Sequence, residues 1–240
     1  MINWQMRPDE LVSWVSRAHG RLLHLADRLD DEQLRADSLL PGWTRAHVLA
    51  HLADNAWAFE RQARCALRGE LVEMYDGGQA ARDSSIEQWA PRPRSVLLQH
   101  LSEAQKALED VWSTFTGADW SRPVRFRNAT VLDTVLARWR EAEIHAVDLD
   151  LGYTPRQWPV VFALHALDFL AARSPVGLQL TLRADDVDVI RAVGAGTPVE
   201  VTGAAHDLAA WMAGRATDGA LSTPSGTLPP LGPWPPDPAD

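Results

Sequence analysis

Two short stretches carry side chains of a kind and spacing that can hold a metal: HVLAH at residues 47–51 and EAEIH at 141–145. On a helix, positions four apart differ in direction by about 40°, so His47 lies near His51, and Glu141 near His145 on one face. Glu143 points roughly the opposite way. A Glu and a His from one helix, joined by a His from a facing helix, make a three-ligand set with coordination positions left for water or substrate. That is the pattern of a catalytic zinc site, since structural zinc sites are closed by four ligands rich in cysteine. The same spacings also arise when histidines pack or hydrogen bond on a helix face, and spacing alone leaves open which of His47 and His51 is the ligand.

These residues need a scaffold of helices. Residues 8–29 place Leu11, Trp14, Val15, Ala18, Leu22 and Leu25 three and four apart, which is helical periodicity. Pro41 and Gly42 break the chain before a helix over 44–68, which Thr44 can cap. Further helices are expected at 95–116 and 130–149, with a long, partly helical connection over 69–94. Four long helices with one apolar face each predict a four-helix bundle, a scaffold that holds metals through inward carboxylates and histidines.

The pattern then changes. Residues 158–174 read as a helix, but VGLQLTLRAD alternates apolar and polar side chains as a half-buried strand does. DVDVIRAVG and TPVEVTG are further strands, and AAHDLAAWMAGRA is a helix ending near Arg215. The expected class is α+β: a bundle over residues 1–155, then a small α/β domain over 156–240. The proline-rich tail STPSGTLPPLGPWPPDPAD is expected to drape over the surface or remain without order.

Bulk composition narrows the partners. The formal net charge is −9 with no basic cluster, which argues against nucleic acid. No stretch approaches the roughly 20 apolar residues of a membrane span. MINWQMRPDELVSWV does not read as a signal peptide. The single cysteine, Cys65, forms no internal disulfide, so a reducing cytoplasm is the expected setting. Eleven tryptophans, spread along the chain, are expected to fill a helical core.

PGWTRAHVLAHLADNA, RWREAEIHAVDL and AAWMAGRATDG, taken together, resemble the mycothiol-dependent maleylpyruvate isomerase family of the DinB-like metalloprotein superfamily. The resemblance covers nearly the whole chain. It implies an N-terminal DinB-like bundle binding Zn2+, or another divalent metal, through His51, Glu141 and His145, with His47 packed or hydrogen bonded nearby. It implies a C-terminal domain akin to sterol-carrier-protein folds, whose Arg215 reaches the metal cleft and contributes to catalysis.

The implied reaction converts maleylpyruvate to fumarylpyruvate with the low-molecular-weight thiol mycothiol as cofactor. A metal-bound thiolate adds to the cis double bond, the resulting single bond rotates, and elimination leaves the trans isomer. The substrate is a small dianion, for which Arg215 offers a bidentate contact. Arg138 and Arg140 flank Glu141 and are candidates for cofactor binding. Asp54 and Asp148, each three residues after a histidine, are candidate acceptors behind the ligands. The enzyme is expected to act as a monomer. A mycothiol S-transferase is the alternative enzyme, and a binding protein that keeps the bundle without turnover is the alternative outside enzymes.

Overall fold

The computed structural model describes residues 6–235 and divides into two compact units between Leu151 and Gly152. Trp4, and the tail beyond residue 235, lie outside the described residues.

The first unit is helical: α1 (Pro8–Asp27), α2 (Asp31–Arg35), α3 (Arg45–Leu67), α4 (Gly78–Trp89), α5 (Arg94–Ser113) and α6 (Val131–Asp148). Pro8 and two acids in the first turn of α1 suit a helix start, where donors are unpaired and the dipole is positive. Thr44 begins α3 by accepting from the His47 amide, while the His47 ring accepts in return from the Thr44 amide. Thr130 and Asp133 cap α6 in the same reciprocal way.

The four long helices form a ring in which α1 and α3 each pack against both α5 and α6. Ala46, Ala50, Ala53, Ala56 and Ala63 are buried along α3, and side chains this small let its neighbours approach. The connection over 69–94 contains a true helix, α4, which lies against α3 and buries only Ile86. Trp112 and Trp139 are buried as expected, the latter stacked on Trp14 at 5.9 Å, whereas Trp57 is substantially exposed.

The bundle interior also buries a charge. Arg138 on α6 is fully enclosed; its Nε donates to His19 Nε2 at 2.9 Å, and one Nη donates to Leu52 O and Asn55 Oδ1 at 2.8 and 3.0 Å. With Nε2 accepting, the His19 proton sits on Nδ1 and is donated to Glu109 Oε1 at 2.6 Å. Four helices therefore meet in one hydrogen-bonded chain. Burial lowers the Arg138 pKa to about 10.

The second unit comprises α7 (Val160–Phe169), β1 (Gly177–Ala184), β2 (Val189–Gly194), β3 (Gly196–Gly203) and α8 (Ala205–Met212). The sheet order is β2-β1-β3, with β2 antiparallel and β3 parallel to β1. Leu180, Leu182 and Ala184 point alternately into the core, and α8 covers that side of β1 and β3. The second strand starts at Val189, later than expected, because 185–188 form the turn back from β1. Gly196 takes φ of 129°, and a Cβ there would lie 2.1 Å from Gly177 O, so only glycine fits where β3 begins beside β1. Part of the tail is pinned: Ser222 and Thr202 exchange two backbone bonds, and the Gly232 amide donates to Arg173 O. Among the described residues, no helix is long and apolar enough to cross a membrane.

Burial, reinforced by the Arg138 charge, lowers the His19 pKa from 6.5 to about 4, against the opposing pull of Glu109. Between those values the unfolded chain binds a proton that the folded one refuses, so the contribution is complete above pH 6.5 and lost as pH falls toward 4. We expect His19 to withdraw roughly 3 kcal/mol over that window. Denaturant unfolding at pH 7, 5.5 and 4 should show a steeper loss in the wild type than in His19→Gln; parallel curves would exclude this role.

Candidate metal centre

His51 lies on the second turn of α3, and Glu141 and His145 lie one turn apart on α6. The packing of α3 on α6 brings one ligand atom from each to within 4.8 Å of the others. His51 Nε2 is 2.9 Å from Glu141 Oε2, and His145 Nε2 is 3.4 Å from the same oxygen. The imidazole rings meet edge to face with centroids 4.9 Å apart. His51 is buried, while Glu141 and His145 keep partial exposure, so the group has a closed side and an open one.

What lies behind each ligand differs. His145 Nδ1 is 2.8 Å from Asp148 Oδ2, and Asp148 is fully buried. A carboxylate there keeps the proton on Nδ1 and directs Nε2 toward a cation, the usual support for a ligating imidazole. The corresponding aspartate on α3 behaves otherwise: Asp54 Oδ1 accepts from His100 Nε2 at 3.2 Å, and His100 stacks on Trp89 at 3.6 Å. Behind His51 stands a cation, Arg82 of α4, with Nη2 3.3 Å from Nδ1. No periodicity in the sequence marks Arg82, because α4 buries only Ile86.

The electrostatics follow from this crowding. Burial lowers the His51 pKa, and the two attractions of Glu141 do not restore it against His145 and Arg82. Burial also opposes charge on Glu141 and His145, but hydrogen bonding reverses the outcome in both. Glu141 stays well below the ordinary carboxylate range, and Asp148 with Glu141 lifts His145 to about 9. One anion thus faces two imidazoles, of which one is neutral and one carries a proton that a divalent cation can displace. The donor set, a carboxylate and two imidazoles with one imidazole braced by a buried acid, fits such a cation with positions left open.

His47, the other member of the spaced pair, is occupied elsewhere. Its Nδ1 is 2.6 Å from Thr44 Oγ1, and its Nε2 is 3.6 Å from Glu87. Glu143 is fully buried and pairs with Arg21 and Trp139 Nε1. Arg138 is built into the bundle interior as described. Arg140 is mostly enclosed beside Glu141, Arg127 and Asp133, and burial lowers its pKa to about 9. Arg215 belongs to the second unit, three residues past α8, where Gly214 at φ 71° ends the helix. Its guanidinium donates to Ala213 O and lies 5.6 Å from the Trp234 ring centroid.

A family model described as the mycothiol maleylpyruvate isomerase N-terminal domain matches residues 15–150, which include all three clustered residues. No curated protein matches the chain. Among solved structures, the crystal structure of a mycothiol-dependent maleylpyruvate isomerase matches with a TM-score of 0.86 at 25% identity, over 95% of this chain and 98% of that one. A histidine-to-alanine mutant of a mycothiol-dependent maleylpyruvate isomerase matches with the same TM-score and coverage at 24% identity.

His51→Ala, Glu141→Ala and His145→Ala should each abolish stoichiometric binding of Zn2+ or Co2+ and leave helical circular dichroism intact. His47→Ala should keep the metal and the Thr44 cap, losing only the ring's reciprocal bonds to Thr44, at a cost of about 1 kcal/mol. Cobalt absorbance in the visible range reads the site directly, and full metal content in His51→Ala would dismiss this ligand set.

Proposed function

Because this chain belongs to the mycothiol maleylpyruvate isomerase N-terminal domain family, we propose that it is a zinc- and mycothiol-dependent isomerase converting maleylpyruvate to fumarylpyruvate. The observation that carries the reading is the convergence of His51, Glu141 and His145, from two helices, on one partly open point. The structural likeness over nearly the full length of both chains supports extending it beyond the bundle.

His51, Glu141 and His145 would hold the metal. When bound, the metal would favour the ionised form of a thiol, the species whose reversible addition to a cis double bond would permit rotation before elimination restores the double bond. The chain's own residues supply the rest. Asp148 fixes the tautomer and direction of His145. Glu141 brings one negative charge, so a divalent cation keeps net positive charge toward an anionic thiol and a dianionic substrate. Arg140, beside Glu141, offers a cation to cofactor or substrate. Arg138 acts through position, since its guanidinium is committed to holding α3 against α6.

Arg215 supplies the cation that takes a substrate carboxylate or the enolate oxygen as charge develops. The support is the resemblance of AGRATDG to the family pattern, together with a placement just past the end of α8. In this reading residues 1–155 hold the metal, and residues 156–240 form the small domain akin to sterol-carrier-protein folds. The protein works as a cytoplasmic monomer.

The zinc-loaded protein should isomerise maleylpyruvate rapidly with mycothiol and negligibly without it, followed by ultraviolet absorbance. Absence of turnover in a metal-loaded sample would withdraw the isomerase assignment and favour thiol transfer to another electrophile. Arg215→Ala should retain metal and lose about a hundredfold in kcat; wild-type kcat would leave the arginine a structural role only.

A further inference from the structure

Within the second unit, Arg215 follows the end of α8, and a second guanidinium, that of Arg173, belongs to the turn after α7. Both reach the same indole: Arg173 Cζ is 5.1 Å and Arg215 Cζ 5.6 Å from the Trp234 ring centroid. One aromatic ring thus serves two cations. Arg173 is fastened to the tail that carries this ring. Its Nε donates to Gly232 O at 3.1 Å, its carbonyl accepts from the Gly232 amide at 2.8 Å, and its Nη1 donates to Met212 O at 2.6 Å. A Cβ on residue 232 would lie 3.3 Å from Arg173 O, so glycine lets the tail come this close.

The sequence stiffens the same segment. Trp234 stands between Pro233 and Pro235, whose rings lock φ near about −65°, and a residue before proline is itself kept extended. The ring therefore projects from backbone with little freedom left. Trp234 remains 40% exposed, so core packing does not account for its place, whereas attraction to two cations does.

The arrangement suits a cation that waits for an anion. A loose arginine side chain explores many rotamers, and one that meets developing charge must be in place beforehand. A carboxylate would hold a guanidinium by cancelling its charge; an indole attracts it through the ring quadrupole and leaves the charge whole. Arg173 spends its hydrogen bonds on neutral carbonyls and keeps its own charge, and burial together with Arg215 lowers its pKa. Two such charges repel, and the shared ring opposes their separation.

We propose that Trp234 is the positioning residue for Arg215, and that residues 232–235 are a strap, tied down at Arg173, that presents the Arg215 guanidinium to an anion with its charge intact. The consequence for turnover rests on the reading of Arg215 as the cation that meets the substrate; the strap itself does not.

The test joins magnetic resonance to kinetics on the full-length, zinc-loaded protein. In isotope-labelled protein the Arg215 Nε–H signal is identified by its loss in Arg215→Lys. Trp234→Leu should remove the ring-current shift of that signal and lower its heteronuclear Overhauser effect to that of an unrestrained side chain. Trp234→Phe, which keeps an aromatic face, should retain most of both. An unchanged signal in Trp234→Leu would overturn the proposal. In the isomerase assay Trp234→Leu should lower kcat about fivefold, Trp234→Phe should restore it, and Trp234→Leu should cost nothing further in the Arg215→Ala background. Equal losses in both backgrounds would also overturn it, because the ring would then act other than through Arg215. The two readings fail separately. Full kcat in Arg215→Ala, with the signal loosened by Trp234→Leu, removes the catalytic role and leaves the strap. A slowed Arg215→Ala, with the signal unmoved by Trp234→Leu, does the reverse.

Discussion

The buried guanidinium of Arg138 is the constraint on which the helical unit depends. A charge removed from water must be met by directed hydrogen bonds, and losing one partner leaves the others uncompensated. Its donors reach His19 on α1 and the backbone of Leu52 on α3, and His19 passes the interaction to Glu109 on α5. Apolar packing alone tolerates sliding of one helix past another by fractions of a turn; this chain of bonds does not. Leu52 adjoins His51, and Arg138 lies one turn before Glu141. The bond that relieves the buried charge therefore also sets the register at which the two ligand-bearing helices meet.

The candidate metal centre uses the opposite strategy. Its charges are drawn together and left partly open, so that they remain available to an added cation. Glu141 accepts from both imidazoles through one oxygen, and His145 is held between two carboxylates. Asp148 does double duty, since its backbone oxygen accepts from the Leu39 amide while its carboxylate holds His145. The end of α6 is thereby tied to the loop that leads into α3. Arg45 adds a second tie, from the first turn of α3 to Leu149 O.

Much of this was readable from residue types. The four long helices follow from apolar positions three and four apart, although α3, covered by α4, α5 and α6, is buried nearly all round. The pairing of Glu141 with His145 followed from one helical turn, and the exclusion of Glu143 from the same geometry. The choice between His47 and His51 required more, since both face the same way. It turns on Thr44, whose position makes His47 the third residue of the helix and so a partner for the cap. Asp54 and Asp148 have equal spacing from a histidine but different neighbours: α5 presents His100 to the first, and nothing in local sequence reports that. Arg82 was hidden for a related reason. The helix carrying it buries one apolar side chain, so no periodicity marks it, and its approach to His51 is purely tertiary.

His51 and Glu141 are ninety positions apart in the chain. The ligand set consequently has no local precursor: no hairpin or single helix contains it, and closing so long a loop is among the slower and later events in folding. During synthesis the first histidine emerges well before its partners, and α6 must be complete and docked before three donors coexist. In a nascent chain the three donors therefore come together only when α6 has docked on α3, and their convergence is itself a late product of tertiary packing.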